Sequence, residues 1–74
     1  MGVKGLSEKK ERLRGLIEHW AHHNDEHRDR FLEAAEEAGE LGLDEAAAEM
    51  KHAAGKADEV SAHLRKALEH LGEG

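Results

Sequence analysis

Leu16-Ile17-Glu18-His19-Trp20-Ala21-His22-His23-Asn24-Asp25-Glu26-His27-Arg28-Asp29-Arg30-Phe31 is the stretch on which the fold turns. It contains four of the chain's seven histidines, its only tryptophan, its only asparagine and its only phenylalanine. Apolar residues lead into it at Leu13, Leu16, Ile17 and Trp20, and lead out at Phe31, Ala34, Ala35 and Ala38. Carrying the same three-to-four spacing across the polar middle lands on Asn24 and His27, so the helical period never breaks. One long helix is therefore expected over 7–38, with Ser7 as its N-cap and Glu8 and Glu11 in its first turn.

Downstream, Gly39-Glu40-Leu41-Gly42-Leu43-Asp44 reads as a turn. Gly39 suits a C-terminal cap and Asp44 the next N-cap. A second helical run follows over 44–71 through Ala46, Ala47, Met50, Ala53, Ala54, Ala57, Val60, Ser61, Leu64, Leu68 and Leu71. Gly55 falls on its outer face, so one continuous helix is expected, a break there being the alternative. Residues 1–6 hold two glycines and no pattern, and read as a flexible leader to a single domain over 7–74. The fold class is thus all-α, an antiparallel helical hairpin. Two helices cover only part of each other's apolar stripe, and a homodimer forming a four-helix bundle covers the rest.

Composition narrows the function. Cysteine, proline, threonine and tyrosine are absent, which excludes disulfides and thiolate metal sites. The formal net charge of −6 argues against nucleic acid or an anionic membrane as partner. No apolar run approaches the roughly 20 residues of a membrane span, and no secretory-type apolar stretch is seen, so a cytoplasmic protein is expected. Enzyme chemistry has little to stand on: there is no Gly-rich phosphate loop, and the serines are Ser7 and Ser61 alone.

The histidines carry the sharper reading. On a helical wheel of about 100° per residue centred on Trp20, Asn24 and His27 fall on the apolar seam, His23 flanks it, His19 lies near its boundary and His22 points outward. His19, His23 and His27 follow one another at i, i+4 steps, and imidazoles one turn apart can converge on one ion. Histidine nitrogen suits zinc, nickel, cobalt or copper rather than magnesium or calcium. The expected ligands are His23 and His27, with His19 as a third candidate; Asn24, Trp20 and Glu26, or Asp25, stand behind them to fix the rings. Two ligands per chain do not close a site, but in a two-fold dimer the pair meets its own copy. The competing reading is a structural or interaction module, a homodimeric bundle in which Asn24 and His27 set pairing. His52, His63 and His70 fall on the outer face of the second helix, and Glu49-x-x-His52 points away from the seam.

The segment from His19 to His27 resembles a family of short prokaryotic helical proteins with a His-Trp-x-x-His-Asn-x-x-His core. Here His19, Trp20, His23, Asn24 and His27 occupy that pattern. The resemblance implies binding of a transition metal or metal cofactor. A looser likeness is to hemerythrin-like cation-binding bundles, from which the chain departs in its shorter length and in lacking a seam-facing His-x-x-x-Glu partner helix.

Overall fold

The computed structural model describes residues 2–72, and side chains for residue 5 and residues 7–72. It is an antiparallel hairpin of two helices, α1 (Gly2–Glu40) and α2 (Asp44–Gly72), packed along their length. No strand occurs among the described residues. α1 starts earlier than Ser7, which becomes an interior helical position instead of a cap; the Val3–Leu6 segment has no proline to stop it, and glycine in a helix costs only about 1 kcal/mol. Met1, Glu73 and Gly74, which belong to the expected leader and to the C-terminal end of the expected domain, lie outside the described residues.

The turn differs in detail from the expected caps. Leu43 N–H donates to the Ala38 carbonyl at 2.8 Å and Gly42 N–H to the Gly39 carbonyl at 3.0 Å, with Gly42 at φ +78°. This is a Schellman ending, and the left-handed residue that only glycine adopts freely is Gly42, not Gly39. Ala47 N–H then donates to the Leu43 carbonyl at 2.9 Å, so Leu43 stands at the cap position. Asp44 and Glu45 occupy the first turn of α2, where their carboxylates face the positive end of the helix dipole. α2 runs unbroken through Gly55, whose missing side chain faces open space.

Small residues build the seam between the helices. Ile17, Ala21 and Ala35 of α1 are buried against Ala47, Ala54, Ala57 and Ser61 of α2. Trp20, expected at the seam centre, is 49% exposed, and Leu13 and Leu16 are 43% and 42% exposed. The seam is rotated roughly 80° around α1 from Trp20. The reason is the width of the apolar stripe. The helices approach closely where alanines face alanines, and the half of the stripe carrying the large side chains is left outside. On α2 the corresponding flank holds Ala53, Val60 and Leu64, and helix handedness puts both flanks on the same side of the hairpin. One long face is therefore open, and Trp20, His23 and His27 lie on it.

Candidate metal centre

Two sets of polar residues meet at mid-length of the hairpin, and the structure separates them. The first set ties the helices together. Asn24 donates from Nδ2 to the Ala57 carbonyl at 2.6 Å and to Ser61 Oγ at 2.9 Å. Ser61 is buried at 3% exposure and sits 2.6 Å from Asp25 Oδ1, to which its single proton goes; the Ala21 carbonyl at 3.5 Å is the weaker acceptor. Asp25 Oδ2 accepts from Arg65 Nη2 at 2.7 Å. The hydrogen bond from Arg65, then that from Ser61, hold the Asp25 carboxyl down at about 2 against the opposing effect of burial, with help from the charges of Arg65 and Arg28. Arg28 adds a 2.7 Å pair with Asp58, and the hydrogen bonds it makes to Asp58 and Asp29 push its guanidinium up. No buried side-chain nitrogen or oxygen among the described residues lacks a partner.

The second set is the histidine stripe on the open face. His23 Nε2 and His27 Nε2 lie 3.0 Å apart, with rings nearly perpendicular at 88° and centroids 4.5 Å apart. That is a hydrogen-bond distance, with one proton shared between the two nitrogens. Glu26 Oε1 sits 3.9 Å from His23 Nδ1, too far for a hydrogen bond. Which of the two Nε2 atoms donates is set by the ring tautomers. His19 stacks on His23 with centroids 5.9 Å apart and planes inclined by 14°. On the other side His27 lies against Phe31, centroids 6.2 Å apart. His22 is solvent-facing, with Glu26 4.0 Å away.

Of the expected site residues, the structure brings His23 and His27 together with Glu26 beside them. Trp20 shares the open face, and His19 stands at its outer edge, pointing away from the seam and stacked on His23. Asn24 and Asp25 turn the other way, into the interhelical network. Among the described residues no three histidine, aspartate or glutamate side chains come together in a group that could hold a metal ion; His23 and His27 meet as a pair. Ser61 and Arg65 were missed as partners of Asp25, because a lone seam serine and a surface arginine carry no motif. A groove of about 540 Å³ lies on the opposite face near the turn, between Leu32, Ala35, Ala47 and Ala48, away from the histidines.

Residues 13–71 match the family model described as a domain of unknown function, DUF8180. The chain belongs to this family. The matched span runs over nearly the whole two-helix overlap and includes every residue of both polar sets. An uncharacterized protein of Archaeoglobus fulgidus is 42% identical over 62 residues, which is 84% of this chain and 98% of that protein. No solved structure matches the chain.

Proposed function

We propose that this family member is a small transition-metal-binding protein, acting in storage, delivery or sensing, with His23 and His27 as ligands. The observation that carries the reading is the 3.0 Å separation of the two Nε2 atoms. Metal–nitrogen bonds of about 2.0–2.1 Å to both atoms would subtend about 91–97° at the ion. That is the angle of neighbouring ligands in an octahedral nickel or cobalt site, and a small opening of the pair reaches the tetrahedral angle of zinc. An ion there would be held by both Nε2 lone pairs, with the proton of each ring on Nδ1. Glu26, on the Nδ1 side of His23, supports that tautomer as carboxylates behind metal-bound histidines do. The resemblance of the His19–His27 segment to short prokaryotic helical proteins with a His-Trp-x-x-His-Asn-x-x-His core implies the same role.

A two-nitrogen half-site needs further ligands, and a second hairpin supplies them in a homodimeric four-helix bundle. His19 remains the candidate for an additional ligand, by rotation of its ring away from His23. Among the described residues no helix is long and apolar enough to cross a membrane, and the proposed setting is the cytoplasm. A second reading, an interaction module without metal, draws on the exposure of Leu13, Leu16 and Trp20, which favours a partner whether or not an ion is present.

The test is thermal unfolding with one equivalent of zinc, nickel, cobalt or copper. The melting temperature should rise with at least one of them. The rise should vanish in His23→Ala and His27→Ala, and fade as pH falls below about 6, because protonated imidazole has no lone pair to give. A melting curve unmoved by all four metals leaves only the interaction module.

A further inference from the structure

Charge is divided along α1. Its N-terminal part carries Lys9, Lys10, Arg12 and Arg14 against Glu8 and Glu11. The turn end carries Glu33, Glu36, Glu37, Glu40, Asp44 and Glu45, with no basic residue or histidine anywhere between Phe31 and Met50. Side-chain size on the open face is divided in the same sense. Leu13, Leu16 and Trp20 stand exposed toward the basic end, while Ala34 and Ala38 lie toward the acidic end.

The histidine pair marks the centre. Contacts of Asn24 and Ala21 with Ala57 and Ser61 put Glu59 near the level of Asn24, so α2 reaches back to about residue 11 of α1 and the overlap is centred near Asp25. His23 and His27 lie one on each side of that centre.

We propose that the open face binds a second copy of this chain with the two α1 helices antiparallel, the two-fold axis crossing them at the level of Asp25. This placement sets His23 opposite the partner's His27, Leu16 opposite the partner's Ala34, and Trp20 opposite the partner's Phe31. Leu13 and Leu16 thus meet the partner's small Ala38 and Ala34, while Trp20 packs on the partner's Phe31 ring. Arg12 and Glu37 lie at matching levels on the same outer flank, about 80–100° from Trp20, so each Arg12 meets the partner's Glu37. The parallel arrangement instead brings two acidic turn ends together and separates the unlike charges. The inference rests on the dimeric reading of the metal site for its partner, but charge and size alone carry the orientation.

The absence of cysteine makes the test direct. A spin label on Glu40→Cys, at the end of α1, reports the distance between turn ends by pulsed dipolar spectroscopy in metal-free protein. The antiparallel dimer gives about 45 Å between labelled backbones, from the helical rise over the residues separating Glu40 from the centre. A parallel dimer gives under about 25 Å, because neighbouring helices lie only 8–10 Å apart. A short distance, or a monomer by light scattering at every accessible concentration, overturns the proposal. As a second arm, Arg12→Glu weakens dimerisation about threefold to tenfold and Glu37→Arg in the same chain restores it. A double variant no tighter than Arg12→Glu alone also counts against this pairing. An antiparallel dimer that takes up no metal sinks the metal reading and leaves this inference standing. Metal uptake by a parallel dimer or a monomer does the reverse.

Discussion

Replacing Ser61 with alanine probes how the hairpin holds its register. Ser61 Oγ accepts from Asn24 Nδ2 at 2.9 Å and donates to Asp25 Oδ1 at 2.6 Å. The first bond is neutral and contributes about 0.5–1.5 kcal/mol; the second ends on a carboxylate and contributes about 1.5–3 kcal/mol. The losses are partly offset. The Asp25 side chain is 24% exposed and can take a water, and Asn24 keeps the Ala57 carbonyl. A net destabilisation of about 2 kcal/mol follows, a fall in melting temperature of roughly 8–16 °C for a domain of this size. Urea unfolding followed by circular dichroism at 222 nm measures it, with protein concentration held constant because association adds to apparent stability. A carboxyl titration by NMR supplies an independent readout: Asp25 should rise above about 2 while Arg65 still holds it below an ordinary aspartate. A loss under about 0.5 kcal/mol with the Asp25 titration unmoved would refute the role given to this network.

Three further outcomes are expected. Gly55→Ala should stabilise the protein by about 0.5–1 kcal/mol, since the added methyl meets open space on a helix interior, whereas Gly42→Ala should cost about 1–2 kcal/mol for its φ of +78°; equal effects at the two positions in urea melts would contradict the turn geometry. Because the folded state depresses Asp25, its contribution is present above the unfolded value near 4 and is lost as pH falls toward about 2. Wild type should therefore lose its stability advantage over Asp25→Asn between pH 4 and pH 2, and a constant difference across that range would speak against it. Arg28→Ala should lower the melting temperature far less than Ser61→Ala despite its 2.7 Å contact with Asp58, because that pair faces solvent; an equal loss by thermal melting would show the pair to be part of the seam.

The hairpin was legible in the sequence because α1 keeps its period through the polar middle and the glycines of the turn interrupt it only once. The rotation of the seam was not. A wheel centred on Trp20 follows the largest side chains, while close helix approach is set by the smallest, here Ala21, Ala35, Ala54 and Ala57. That one displacement explains why Asn24 faces α2 and Trp20 does not. It also explains why His23 and His27 lie on a free surface while Ala57 and Ser61 face Asn24. The i, i+4 spacing did point to the pair that meets, since one helical turn decides that contact and no tertiary packing is needed. Asp25 illustrates the limit. A carboxylate between Asn24 and Glu26 gives no sign in the sequence that it will reach Ser61 and Arg65 nearly forty residues away.

Isothermal titration of nickel or zinc into metal-free protein, beside the His23→Ala/His27→Ala double variant, tests the proposal that these two histidines bind metal across two chains. The account predicts saturation at one metal ion per two chains in the wild type and no specific uptake in the variant. Saturation curves that coincide for the two proteins, or no binding by either, would contradict it.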